Sequence, residues 1–387
     1  VRQRPERFGA WVRVDDGTLV AVDRTLARAL HVEESPLWND ALPAGPSRPL
    51  EVHVAVTARC PAGCSGCYQS ATRDGDDVPF DELARTLDGL AAMGVFTVAF
   101  GGGEPMLRDD LGALATYARS RDLVPVVTTS GIGLTPARAR TLGDFAQVNV
   151  SHDGVGGGYE AVRGYDGASA ADRAVRTLLD AGVSVGINHV LTRQNFAHLA
   201  DTVRHARALG AREVQVLRYK PAGRAASLEY LARRLTQAQV RALAPALRAI
   251  AEEHGDGISI RVDCATVPLL SETLTDASML ERFGVFGCEA GRHLGAVRRD
   301  GSLAGCSFVT REPAPAEGSL ADRWESAPEL ERFRASVRER PEPCASCGLR
   351  TVCRGGCRIV SEHLTGGFAP DPECPRVQSH RSPAVGG

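Results

Sequence analysis

Three cysteines, Cys60, Cys64 and Cys67, stand as C-x3-C-x2-C directly behind the apolar alternation Val52, Val54, Val56. Thiolates are soft ligands that select iron-sulfur clusters or zinc. Three on one loop leave the fourth corner of an iron-sulfur cube open, and an open corner is where chemistry can happen. A structural zinc would want a fourth local ligand, which the neighbouring residues do not supply. The spacing therefore favours a cluster.

Two further groups carry chemistry. Gly101-Gly102-Gly103-Glu104-Pro105 follows Phe100 directly; its glycines would let a ligand approach the backbone, and Glu104 can accept a hydrogen bond from a ligand ammonium. The remaining cysteines are Cys264, Cys288 and Cys306, then Cys344, Cys347, Cys353, Cys357 and Cys374, bringing the total to 11. So many thiols in a reducing compartment are more economically metal ligands than disulfides.

These residues need elements to position them. Residues 1–48 read as an appendage: Trp11–Val14 and Leu19–Val22 flank the turn signal Asp15-Asp16-Gly17, and Asp23 can cap a helix from Arg24 to Leu30. Pro43 to Pro49 reads as a linker. From 49 to 255, Val-rich strands at 51–57, 95–100, 124–128, 146–151, 183–191 and 213–218 alternate with helical periodicity at 80–93, 109–120, 136–142, 169–181, 196–209 and 236–254. Six such units predict an α/β fold with a parallel sheet, open or a partial barrel, with ligands at the carboxyl ends of its strands. The three-cysteine loop follows the first strand and so lies at that end.

Residues 256–285 read as a bridge and 286–380 as a cysteine-rich region without long helical runs, folded with help from metal. The bridge holds a strand over Ile258–Val262, and in the cysteine-rich region a hairpin turns at Asp300-Gly301; residues 381–387 are a tail.

The motifs at Cys60, Cys64 and Cys67 and at Gly102–Pro105 resemble those of the radical S-adenosylmethionine (SAM) enzymes. The resemblance covers roughly residues 50–255 and implies a partial (β/α)6 TIM-like barrel and a 4Fe-4S cluster whose open iron is chelated by SAM, the amino group being held by Gly102, Gly103 and Glu104. It makes Ser130, Ser151 and Asp153 SAM contacts and Arg218 a partner for a carboxylate of SAM or substrate. In isolation Ser and Asp at such positions are more often turn or helix caps. The family places an aromatic residue before the third cysteine, where this chain has Gly66; Tyr68 is the residue expected to cover that ground. The distal cysteines resemble the seven-cysteine SPASM extension of such enzymes. That likeness implies one auxiliary 4Fe-4S cluster on Cys344, Cys347, Cys353 and Cys374 and another on Cys288, Cys306 and Cys357. A zinc ribbon over Cys344–Cys357 is the structural alternative. Cys264 is left over, as fourth ligand, catalytic thiol or buried free cysteine.

The resemblance further implies an oxidoreductase that cleaves SAM reductively to a 5'-deoxyadenosyl radical and takes a hydrogen atom from a ribosomally made precursor peptide, installing a crosslink. A sulfatase maturase is the first alternative, though such enzymes carry Asp after the cysteine corresponding to Cys306, where Ser307 stands. A dehydrogenase acting on a small molecule is the second. The implied partners are the precursor peptide, a low-potential electron donor such as ferredoxin or flavodoxin, and a separate leader-peptide-binding protein. Acid-base candidates are Asp263, Glu289, His189, His293 and Tyr219, with Cys264 and Arg218 as other catalytic candidates.

Composition narrows the rest. With 387 residues, 43% of them hydrophobic, the chain can bury a large core, and its formal net charge of -2 gives no general attraction to nucleic acid. No apolar run approaches spanning length, so a cytoplasmic protein without membrane contact is expected. Lys220 is the only lysine, expected as an ordinary surface residue.

Overall fold

The computed structural model describes residues 2–39, 46–272, 286–312 and 317–381. Residues 43–45 of the linker, 273–285 of the bridge and 382–387 of the tail lie outside them.

The appendage is a three-stranded antiparallel sheet of β1 (Arg2–Glu6), β2 (Gly9–Arg13) and β3 (Leu19–Asp23), followed by α1 (Arg24–Ala29). Asp23 caps α1 by accepting from the Leu26 amide. Ala10, Val12, Val22, Ala27, Val32 and Trp38 give the appendage a small core of its own. Sequence periodicity missed β1, whose RQRPE alternates charge with Pro rather than apolar residues. Buried Arg4 ties the appendage to the larger body by donating to the carbonyls of Arg48, Pro49 and Gly94. Those carbonyls precede the first two strands of the main sheet, so the appendage docks at the end opposite the three-cysteine loop.

Among the described residues the main sheet has nine strands. Six of them, β4 (Glu51–Thr57), β5 (Thr97–Gly102), β6 (Val124–Thr129), β7 (Gln147–Ser151), β8 (Val185–Leu191) and β9 (Glu213–Arg218), pair in parallel in sequence order. Between them run α2 (Phe80–Ala92), α3 (Leu111–Ser120), α4 (Pro136–Ala139), α5 (Gly158–Arg163), α6 (Ala168–Asp180) and α7 (Leu199–Leu209). Beyond β9 come the short α8 (Glu229–Arg233) and α9 (Gln237–His254), whose Thr236 and Gln239 form a reciprocal capping box. One face of the Val-rich strands is buried against Leu83, Leu87, Leu90, Leu114, Val175, Leu178, Val203 and Leu247; the other face of β4, β5, β7 and β9 is largely half-buried, whereas β8 is buried on both.

The sheet does not stop where the strand-helix alternation stops. β10 (Ser259–Val262) adds in parallel beside β9, and β11 (Leu294–Val297) adds in parallel beside β4, with the two-residue β12 (Leu303–Ala304) antiparallel to it. The cysteine-rich region is thus hydrogen-bonded into the main sheet. That region is also more helical than its sequence suggests, with helices at Leu320–Ser326, Pro328–Arg338, Arg358–Thr365 and Pro375–Arg381. Trp324, Leu330, Leu349 and Val352 join the main core.

Candidate active site at the carboxyl ends of the strands

The three-cysteine loop leaves β4 and is held on every side. The Cys60 amide donates to the Thr72 carbonyl at 2.7 Å, and the amides of Gly103 and Glu104 donate to the carbonyls of Thr57 and Arg59 at 2.7 and 2.8 Å. From beyond β9, Arg224 donates to the carbonyls of Cys64 and Ala71, and Arg233 donates to Ser65 Oγ at 2.8 Å.

The glycine turn works differently from the expectation. A Cβ on Gly102 would lie 2.3 Å from the Thr57 carbonyl oxygen, and one on Gly103 would lie 2.3 Å from that of Arg59. These two glycines admit the cysteine loop's own backbone. Gly101 is less closely covered: such a Cβ would meet the Tyr68 hydroxyl at 3.8 Å, an ordinary van der Waals contact.

Glu104 is 1% exposed. Its Oε1 accepts from the Met106 amide at 3.0 Å and Thr129 Oγ1 at 2.6 Å, and its Oε2 accepts from the Ser130 amide at 2.7 Å and from the Ser130 hydroxyl. Burial outweighs these bonds and raises its pKa above the usual carboxylate range. The carboxylate therefore locks the ends of β5 and β6 together, and a ligand ammonium would share oxygens that are already bonded.

Other sequence-selected residues prove to be supports. Asp153 is fully buried, accepting from the Val190 amide at 2.7 Å and from Arg163 Nε. It thereby holds Arg163, whose Nη1 lies 3.9 Å from Cys64 Sγ; desolvation of Asp153 leaves no room for a ligand at its carboxylate. Ser151 ends β7 opposite Asn188 and is 8% exposed. Tyr68 stacks on Phe308, ring centroids 4.5 Å apart.

Arg218 does not face the ligand space. Its guanidinium donates to the Ala265 carbonyl at 2.7 Å, to Asp371 at 2.7 and 3.1 Å and to Glu373 at 2.8 Å, which binds the C-terminal region to the end of β9. Two buried carboxylates outcompete any ligand there. Lys220, expected at the surface, is 7% exposed; it pairs with Asp263 and sits 4.3 Å from the Phe308 ring centroid.

Among the acid-base candidates, Asp263 also accepts from Thr266 Oγ1 and the Arg218 amide. Glu289 pairs with His293 at 3.0 Å and with Arg354. His189 is fully buried, its Nδ1 donating to the His152 carbonyl at 3.2 Å and its Nε2 accepting from Asn195 at 3.4 Å. Each is committed to the protein.

The distal cysteines gather in two neighbourhoods. Cys344 lies within electrostatic reach of Cys347 and Cys374, and Cys353 of Cys344 and Cys374. Cys288, Cys306 and Cys357 form the other, and Cys264 feels both Cys288 and Cys357. Burial pushes the thiols of Cys306 and Cys353 up to about 12 and those of Cys344 and Cys357 up to about 11. Among the described residues, the one group of three or more His, Cys, Asp or Glu whose ligand atoms all lie within 4.8 Å of one another is His152, Asp172 and His205. Thiolates around a single zinc stand about 3.8 Å apart, the edge of a tetrahedron with 2.3 Å bonds; no three of the described cysteines lie within 4.8 Å of one another. The histidine group is a hydrogen-bond cluster instead: the Gly154 amide donates to His152 Nδ1, leaving the Nε2 proton for Asp172 at 3.0 Å.

These features define a class of protein, an α/β chain presenting a three-thiolate loop and a Gly-Gly-Glu-Pro turn at the carboxyl ends of a parallel sheet. The chain belongs to the radical SAM superfamily, whose family model matches residues 54–206. Membership brings SAM and an iron-sulfur cluster as cofactors. The chain is 31% identical over 355 residues to the mycofactocin maturase MftC of Mycobacterium ulcerans, covering 88% of this chain and 91% of that one. It is 29% identical over 349 residues to the PqqA peptide cyclase of Granulibacter bethesdensis, covering 86% and 88%. The fold is shared with Streptococcus suis SuiB bound to S-adenosylmethionine, at a TM-score of 0.75, 18% identity and 96% and 98% coverage. The protein anSMEcpe with bound AdoMet also shares it, at a TM-score of 0.66, 19% identity and 86% and 95% coverage. Among the described residues no helix is long and apolar enough to cross a membrane.

Proposed function

We propose that the chain is a peptide maturase, an oxidoreductase that removes hydrogen from a ribosomally made precursor peptide and installs a crosslink in it. The observation that carries this reading is the near full-length similarity to proteins named as a peptide cyclase and a maturase, in a chain that keeps the three-cysteine loop and both distal cysteine groups. When bound, the cluster and SAM supply reductive cleavage to a radical able to take hydrogen from an unactivated carbon. The protein holds that chemistry in place and away from water.

In this reading Cys60, Cys64 and Cys67 hold the SAM-binding cluster. The face at Gly101, with the backbone at Gly102 and Gly103, Glu104 and Ser130, receives the amino acid end of SAM. Arg163, braced by Asp153, donates toward Cys64. Cys344, Cys347, Cys353 and Cys374 hold an outer auxiliary 4Fe-4S cluster. Cys288, Cys306 and Cys357 hold an inner one, with Cys264 as the fourth ligand because it shares their neighbourhood. Clusters held by these cysteines would supply a route for the electron left when the product is more oxidised than the substrate, and a ferredoxin or flavodoxin would supply the reducing electron. Ser307 stands where a sulfatase maturase carries Asp, and its hydroxyl is 3.1 Å from His53 Nδ1; that alternative is not favoured.

The test is anaerobic reconstitution with iron and sulfide. Three cubanes give about twelve irons per chain. Replacing Cys60, Cys64 and Cys67 by Ala removes about a third of that iron, abolishes reductive SAM cleavage and leaves the precursor peptide at its starting mass. A chain that takes up zinc and no iron, or a triple variant that still cleaves SAM, refutes the reading.

A further inference from the structure

Position 66 is glycine for a reason found elsewhere in the chain. Its backbone is not in the left-handed region, unlike that of Gly63 at φ +65°, so the loop's conformation does not demand glycine there. What excludes a side chain is Tyr219. A Cβ on Gly66 would lie 2.9 Å from the Tyr219 hydroxyl oxygen, 3.0 Å from Cε2 and 3.3 Å from Cζ. The edge of the phenol ring occupies the space into which a residue at 66 would project.

Tyr219 follows β9 and is 5% exposed. Its ring stacks on Tyr230, centroids 5.9 Å apart and planes 15° from parallel, and the Tyr230 hydroxyl is anchored on Glu373 at 2.9 Å. The ring therefore has a fixed back wall, while Arg224 and Arg233 clamp the cysteine loop against it from the same segment. Among the described residues the Tyr219 hydroxyl has no hydrogen-bond partner. A buried hydroxyl left without one is costly, and here it lies against the loop that bears Cys64 and Cys67.

We propose that Tyr219 forms the adenine seat of the SAM site, bringing from the end of β9 the aromatic surface that this cysteine loop lacks, and that its unpartnered hydroxyl engages the adenine edge. This rests on the reading that Cys60, Cys64 and Cys67 hold the SAM-binding cluster. A purine suits the position on both counts: its face packs on aromatic surface, and its edge offers in-plane donors and acceptors to a hydroxyl that can play either part.

The experiment measures binding of SAM, 5'-deoxyadenosine and methionine to the reconstituted full chain, with iron content recorded for every variant. Tyr219→Phe is expected to weaken SAM and 5'-deoxyadenosine alike by about tenfold, the scale of one hydrogen bond, and to leave methionine unchanged. Moving the aromatic to the loop, in Gly66→Tyr combined with Tyr219→Gly, is expected to bind SAM more tightly than Tyr219→Gly alone. The proposal is overturned if Tyr219→Phe binds 5'-deoxyadenosine as the parent does, if methionine weakens in step with it, or if the combined variant is no better than Tyr219→Gly at equal iron content. A parent chain that holds no iron and binds no SAM instead overturns the radical SAM assignment of the loop.

Discussion

The two cysteine-bearing regions are built on opposite plans. The loop at Cys60–Cys67 is preorganised by protein alone: backbone amides, the glycine turn and Arg224 and Arg233 hold its shape, and β4 beneath it belongs to the main apolar core. In the C-terminal region, Cys353, Cys357 and Cys374 are themselves interior residues, each more than nine-tenths buried. Cys353 packs in the main apolar core and Cys357 in a second apolar cluster with Phe333 and Val360. In the proposed reading the first region is a site waiting for a ligand, whereas the second draws part of its interior from one.

Withholding iron breaks the comparison most sharply. Bound structural metal contributes on the order of 10 kcal/mol to small metal-dependent units, so the iron-free chain should lose protease resistance across residues 286–381 and retain it across the barrel. Limited proteolysis with mass mapping reads this directly, and equal resistance in both regions would remove the distinction.

Arg218 joins the two plans, and its removal is expected to have the next largest effect. Arg218→Met leaves Asp371 and Glu373 buried without their principal cation, a loss of about 3–5 kcal/mol. Thermal melting of the iron-loaded protein should show the C-terminal region separating at lower temperature, with the barrel transition little moved.

The smallest effect belongs to the barrel by itself. Burial holds His189 neutral, with its pKa below the ordinary 6.5. The unfolded chain takes up a proton that the folded chain refuses, so the stability His189 contributes is complete above pH 6.5 and declines as pH falls from there toward the folded value. Denaturant titrations between pH 7 and pH 5 should show this slope in the parent and a flatter one in His189→Gln.

Much of this was legible in the sequence where the signal is local. Six Val-rich runs alternating with amphipathic segments specify β4–β9 and, α5 apart, their helices within a few residues, and cysteine spacing marks the segments proposed to bind metal. What was not legible depends on distant partners. Arg218 and Asp371 are 153 positions apart, and nothing near either reveals the pair. Tyr219 and Gly66 meet in the same way. The helix Pro328–Arg338 escaped notice because only Leu330 and Phe333 of its eleven residues are buried, too few for a periodic signal. The helix before it did carry a local sign, the Ser319–Asp322 capping box.

The parallel pairing of β11 with β4, Leu294 opposite Glu51 through Val297 opposite Val54, works as a ruler. One strand runs up to Cys60, and the other leads through its hairpin to Cys306. Their separation is metered in whole residues, each step about 3.3 Å, and the ladder admits no intermediate setting. Loops beyond the paired strands can lengthen or shorten over evolutionary time without moving either end of that ruler, whereas a single insertion inside β11 would reset the distance between the two cysteine-bearing regions by one full graduation.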